Sequence, residues 1–137
     1  MKNFIFAFVF ALISTTAFGQ NTEKTYQLSS HILDVSKGMP ASGVTIKLEK
    51  YNETNKTWTS VEEKVTDKNG RVPDFLSNDK SNLGIYKLTY FTSDYFKKMK
   101  EESFYPWVEV VFQLKDSEHY HVPITLSAYG YSTYRGN

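Results

Sequence analysis

The sequence predicts an all-β fold, an antiparallel sandwich or barrel of about seven strands, on three observations. From Tyr26 onward the apolar residues recur mostly with period two, which is the spacing of a strand with one buried face. Clusters of turn-forming residues separate these runs. Aromatic residues make up 16% of the chain, as 10 Tyr and 10 Phe against 2 Trp, and Tyr at that frequency suits half-buried sheet surfaces and wet interfaces.

Taken in order, the first run pairs Leu28 with Ile32 on one face and sets Gln27, Ser29 and His31 on the other. A turn at Ser36 to Pro40 follows. Val44, Ile46 and Leu48 then alternate with Thr45, Lys47 and Glu49, and the strand ends in the turn Asn52 to Lys56. The chain turns again at Asp67-Lys68-Asn69-Gly70, directly before Arg71, and at a loop from Ser77 to Gly84. Tyr86, Leu88 and Tyr90 alternate with Lys87 and Thr89. Ser93-Asp94 then caps an expected short helix running through Tyr95 to Lys100, with basic residues late in the turn. Ser103-Phe104-Tyr105-Pro106 returns the chain to extended structure, because a residue before proline avoids helical angles. Val108, Val110, Phe112 and Leu114 form the next strand, and Asp116-Ser117 closes it. Tyr120, Val122, Ile124 and Leu126 share the apolar face of the strand after that, which leaves His119, His121, Thr125 and Ser127 on its polar face. The ending, Tyr129 through Asn137, carries three tyrosines where chain ends are ordinarily polar. It reads either as a last edge strand or as a tail that inserts Tyr134 and Arg135 into a pocket or subunit interface.

Composition narrows the functional classes. Sixteen Lys and Arg stand against 15 Asp and Glu, so the basic footprint of a nucleic-acid or membrane-surface binder is absent. Residues 1–19 read as a cleaved secretory signal peptide: Lys2, the apolar run Phe4 to Ile13, then Ala17-Phe18-Gly19 at the cleavage site. The apolar run is short of the roughly 20 residues a membrane span needs, so no membrane anchor is expected. Residues 20–137 form one domain, with the periplasm as its expected compartment. There is no cysteine, hence no disulfide, thiol nucleophile or lipid-attachment site.

Chemistry near neutral pH points to the histidines, of which there are three: His31, His119 and His121. All three fall on polar strand faces, and if their strands share a sheet they share an outer surface. Solvated surface histidines are the plain reading. A metal held by His119 and His121 is the rival, weakened because no Asp, Glu or Cys accompanies the pair at ligand spacing. Gly-rich phosphate loops, a Gly-x-Ser-x-Gly elbow and the zincin HExxH motif are all absent. The acid pairs Glu62-Glu63 and Glu101-Glu102 read as solvated.

Several blocks together resemble the transthyretin-related family, and its hydrolase branch in particular. They are Ser30-His31-Ile32-Leu33-Asp34 with Gly38-Met39-Pro40-Ala41, Thr66 to Arg71, Gly84-Ile85-Tyr86, Asp94-Tyr95-Phe96, Ser103 to Pro106, His119-Tyr120-His121-Val122-Pro123 and Tyr131 to Gly136. The match spans essentially the whole of residues 20–137. It implies a transthyretin-like two-sheet antiparallel β-sandwich of about eight strands with one short helix, assembled as a homotetramer with active sites between dimers. It implies hydrolysis of 5-hydroxyisourate at a ring amide, without a cofactor or metal. The family's active-site histidines correspond to His31 and His121, its arginine to Arg71, and its terminal tetrapeptide to Tyr134, Arg135, Gly136 and Asn137. That tetrapeptide usually ends in Ser. An amide still donates and accepts hydrogen bonds, so Asn137→Ser is expected to change the rate by less than about tenfold. Two alternatives lie in other classes: a transthyretin-like carrier of small ligands, and a sandwich module for adhesion or carbohydrate binding. Neither would turn over substrate.

Overall fold

A computed structural model describes residues 24–137, so the expected signal peptide at 1–19 lies outside the described residues. Nine strands and one helix follow one another: β1 Tyr26–Asp34, β2 Met39–Pro40, β3 Thr45–Asn52, β4 Thr57–Val65, β5 Arg71–Ser77, β6 Gly84–Tyr90, α1 Thr92–Lys98, β7 Val108–Leu114, β8 Tyr120–Ser127 and β9 Gly130–Thr133. They form two sheets. One runs β2-β1-β8-β9, with β5 also paired to β1, and the other runs β4-β3-β6-β7. The expected sandwich of about eight strands is therefore what forms, β2 being only two residues long. All pairings are antiparallel except β1 with β8, which run parallel.

The period-two pattern becomes the core. Leu28 and Ile32 of β1 and Val122, Ile124 and Leu126 of β8 face Ile46, Leu48, Leu88, Tyr90 and Val108 of the second sheet, all of them buried. Each fully buried side chain of this size contributes about 1.5–3 kcal/mol. The buried Tyr90 hydroxyl is satisfied: it lies 2.9 Å from Ser30 Oγ and 3.1 Å from the Val122 carbonyl. Asp34 is fully buried, and its carboxylate accepts from the Tyr95 hydroxyl at 2.9 Å and from the Ser36 amide at 3.0 Å.

The helix departs from expectation. It starts at Thr92 with Phe91 in the N-cap position, and no side chain caps it, whereas Ser93-Asp94 was expected to do so. Tertiary packing decides the start: the Phe91 amide bonds to the Thr45 carbonyl, and Thr92 and Phe96 are buried, so the helix begins at Thr92, ahead of the expected cap, and not at Tyr95. Asp94 sits in the first turn and Lys97 and Lys98 in the last. Lys100, at φ +57°, ends the element before the expected last residue becomes helical.

Two local features position the surface considered next. The Asp67–Gly70 turn is closed by Asp67 Oδ1, which accepts from the Asn69 amide at 2.8 Å and the Arg71 amide at 2.9 Å. Gly70 itself takes φ +68°, and a Cβ there would lie 2.7 Å from the Ile32 carbonyl oxygen. The β1–β5 ladder then slips: Leu28 pairs with Phe75 but Ser30 pairs with Val72, so one extra residue is bulged out of β5. Phe75 and Val72 both face the core although they are three residues apart. With strict alternation from Phe75, Arg71 would face inward; the bulge inverts the parity and turns it outward.

Candidate active site

The parallel β1–β8 pairing sets Ser29 beside His121 and His31 beside Pro123, and the β1–β5 pairing sets His31 beside Arg71. In a pleated sheet, directly paired residues project to the same face. His31, Arg71, Ser29 and His121 therefore occupy one outer surface of the first sheet, as expected for histidines on strands that share a sheet. His31 and His121 are half-buried and Arg71 is exposed.

His119, just before β8, joins the same group. Its Nε2 lies 2.9 Å from Ser29 Oγ, and His121 Nδ1 lies 2.8 Å from that same oxygen. The other nitrogen of His119, Nδ1, lies 2.9 Å from the Tyr26 carbonyl oxygen. Ser29 is thus a buried hydroxyl held between two imidazoles. Sequence reasoning put Ser29 on the right face but gave it no part. The signal was its place two residues before His31; the missing fact was the pairing of β1 with β8.

The electrostatics favour uncharged imidazoles. Burial, and next the neighbouring Arg71 guanidinium, hold His31 below the usual histidine value, opposed by a backbone hydrogen bond at Asn69 and the charge of Asp67. Burial lowers His121 as well, followed by Arg71, His31 and His119, with a backbone hydrogen bond at Ser29 in opposition. Both shifts favour the uncharged ring, the form able to accept a proton, beside a fixed cation suited to a developing negative charge.

The C-terminal segment divides between the two faces. β9 is an edge strand on β8, and beyond it Gly136 bridges back to His121, its amide donating to the His121 carbonyl at 2.8 Å. A Cβ on Gly136 would lie 2.4 Å from His121 Cδ2, so only glycine lets the tail lie against the imidazole in this way. Arg135 goes elsewhere: its guanidinium carbon sits 4.3 Å from the centre of the Tyr120 ring, on the opposite side of the strand from His121. With Tyr134, which is 60% exposed, it borders a cleft of about 490 Å³ that Val110, Phe112, Tyr120 and Val122 also line. Within one chain, then, Gly136 of the tetrapeptide touches the histidine group and Arg135 does not. Asn137 is exposed. Among the described residues no group of three or more His, Cys, Asp or Glu is placed to hold a metal ion. His119 and His121 instead share the Ser29 hydroxyl.

Comparison with known proteins places this arrangement in context. Residues 28–136 match the HIUase/Transthyretin family. A probable 5-hydroxyisourate hydrolase of Caenorhabditis elegans is 46% identical over 135 residues, covering 96% of this chain and 98% of that protein. The solved structure of Klebsiella pneumoniae 5-hydroxyisourate hydrolase superposes with a TM-score of 0.69 at 35% identity, covering 84% of this chain and all of the other. Sea bream transthyretin in complex with thyroxine superposes with a TM-score of 0.75 at 28% identity, over 80% of this chain and 94% of that one.

Proposed function

The chain belongs to the HIUase/Transthyretin family, and from that premise we propose that it is a hydrolase of 5-hydroxyisourate, opening a ring amide by addition of water. The observation that supports this most is the register that sets His31 across from Arg71 and Ser29 across from His121, with both imidazoles shifted toward their neutral form. Water at neutral pH is a poor nucleophile toward an amide carbonyl and needs a base to take its proton as it attacks. A neutral imidazole does this, typically for a gain of about 10² to 10⁴ in rate. Arg71 is the group to steady the oxygen that becomes negative in the tetrahedral intermediate. Tyr134, Arg135, Gly136 and Asn137 are proposed to hold the flat substrate, with Gly136 doing so by keeping the tail against His121. No cofactor enters this scheme.

A carrier without turnover is the alternative, and fold does not decide it, since the likeness to a transthyretin is as good as the likeness to a hydrolase. The residues favour the hydrolase: a carrier has no need of imidazoles shifted toward neutrality beside a cation. The test is the ultraviolet decay of 5-hydroxyisourate, generated in place by urate oxidase, in the presence of purified protein and of a His121→Ala variant. Decay well above the spontaneous rate, abolished by the substitution, is expected. No acceleration by the folded protein would leave the carrier.

The assembly proposed with this reading is a homotetramer with sites between dimers. Its support is the open histidine face and the exposure of Val111, Tyr131 and Tyr134. Full activity from a monomer sized by light scattering would contradict it. Export to the periplasm is proposed on Lys2, the apolar run Phe4 to Ile13 and the Ala17-Phe18-Gly19 cleavage signal, and cell fractionation checks it. Among the described residues, no helix is long and apolar enough to cross a membrane.

A further inference from the structure

Protons can be counted along the chain of atoms that joins Tyr26, His119, Ser29 and His121. A carbonyl oxygen only accepts, so the 2.9 Å contact between the Tyr26 carbonyl and His119 Nδ1 requires the proton to be on Nδ1. In a neutral imidazole the other nitrogen, Nε2, is then bare and must accept. Its partner at 2.9 Å is the Ser29 hydroxyl, which donates its single proton there. Having given that proton away, Ser29 Oγ can only accept from its second neighbour, His121 Nδ1 at 2.8 Å. His121 therefore carries its proton on Nδ1, and its Nε2 keeps a free lone pair. With an uncharged imidazole at His119, each group in the sequence has one arrangement open to it, and the end of the chain is decided by a backbone carbonyl at its start.

We propose that Ser29 and His119 are positioning residues that lock His121 in the Nδ1–H tautomer, which makes His121 Nε2 the general base of the reaction. This rests on the hydrolase reading above and says which histidine does what within it. Nε2 takes a proton from water as the water oxygen bonds to the ring carbonyl carbon. When the tetrahedral intermediate collapses, the carbon–nitrogen bond breaks and the departing nitrogen takes the proton back from Nε2, so that water has been added across the amide and the imidazole is restored. Ser29 and His119 contact no substrate in this scheme. Their effect is on the orientation and tautomer of His121. Ser29 is suited to it, being buried in β1 opposite His121 with both of its hydrogen-bonding roles taken by imidazoles.

The deciding measurement is the ¹⁵N chemical shifts of the His121 ring nitrogens in the intact labelled protein above pH 8, since a protonated and a bare nitrogen resonate far apart. In the wild type the proton is expected on Nδ1; a proton on Nε2 overturns the proposal with no variant needed. Two variants test the cause. Ser29→Ala removes the acceptor. His119→Phe keeps a ring but removes the group that takes the Ser29 proton, so Ser29 is free to donate to His121 Nδ1. In both, the Nε2–H form is expected to appear and kcat to fall about 10- to 100-fold with KM changed less than about threefold. That is smaller than the roughly 10⁴ lost when the tautomer-fixing anion of a serine protease is neutralised, because the groups here are uncharged. Ser29→Thr, which keeps the hydroxyl, is expected to restore both the tautomer and the rate. Variants that lose kcat while His121 stays Nδ1–H would refute the tautomer role. A wild type with the expected tautomer but no turnover would instead refute the hydrolase reading and leave the relay standing.

Discussion

Replacing Gly136 by Ala tests how tightly the C-terminal tail and His121 depend on each other. The new Cβ would lie 2.4 Å from His121 Cδ2, 3.1 Å from Cγ and 3.2 Å from Cβ of the same residue. Ordinary contact begins at about 3.4 Å, so one side must give by roughly 1 Å. Two responses are open. The tail can peel away, losing the 2.8 Å bond from the Gly136 amide to the His121 carbonyl; or the imidazole can turn, losing the 2.8 Å bond between Nδ1 and Ser29. Each forfeits about 0.5–1.5 kcal/mol, which a chain end tolerates without unfolding the sandwich. Catalysis is less tolerant, because a displacement of about 1 Å at a reacting group can lower the rate about 10²-fold. The expected result is a kcat/KM reduced about 100-fold, equivalent to about 2.7 kcal/mol, with a urea-unfolding free energy lowered by less than about 1.5 kcal/mol. Gly130→Ala is the control: its Cβ would meet only Ser127 Oγ at 3.6 Å, and it is expected to be near neutral in both assays. Activity of Gly136→Ala within about threefold of wild type would refute the idea that the tail is held against the imidazole.

Arg71→Ala is expected to reduce kcat by about 10² to 10³, measured by the decay of 5-hydroxyisourate, and a loss of less than tenfold would show that the guanidinium is not on the developing charge. Because burial and Arg71 lower both His31 and His121, the acid limb of kcat/KM should lie below the ordinary histidine value of about 6.5, and Arg71→Ala should move it upward. The same lowering carries a stability consequence. On acidification the unfolded chain takes up protons first, so the contribution of these two rings is intact above about pH 6.5 and declines as pH falls below it, which urea titrations at pH 7 and pH 5 would reveal. Gly70→Ala forces a side chain to φ +68° and sets its Cβ 2.7 Å from the Ile32 carbonyl oxygen, so a loss of about 1–3 kcal/mol is expected in chemical denaturation. It should exceed the loss from Gly43→Ala, where φ is +75° but nothing lies within 4 Å, and equal losses would mean that crowding contributes nothing.

Much of the scaffold was legible because it depends on local rules. Alternation placed Ile46, Leu48, Leu88, Tyr90, Val122, Ile124 and Leu126 in the core, where all are buried, since a strand with one wet face must sort its side chains by parity. The same parity put His31 and His121 on outer faces. It failed where long-range packing competes with local preference. Ser93-Asp94 has the chemistry of a helix cap, yet burial of Thr92 and the bond from the Phe91 amide to Thr45 start the helix earlier. The tail was read as either an edge strand or an inserted segment, and it combines an edge strand at β9 with a bridge from Gly136 to His121.

The sequence by itself determined the residue types and their faces: an all-β chain of alternating strands, histidines on outward faces, an arginine after a tight turn and an ending in Tyr-Arg-Gly. Only the tertiary structure decided which of these meet. Strand partners are chosen by burial summed over both sheets, not by any local signal, so nothing near His121 announces that Ser29 lies beside it in a parallel ladder. Nor does anything near Arg71 announce that one bulged residue of β5 reverses its face and brings it to His31. The direction of the hydrogen bonds through Ser29 follows from the same pairing, because it is the carbonyl of Tyr26, more than 90 positions away along the chain, that dictates where the histidine protons sit.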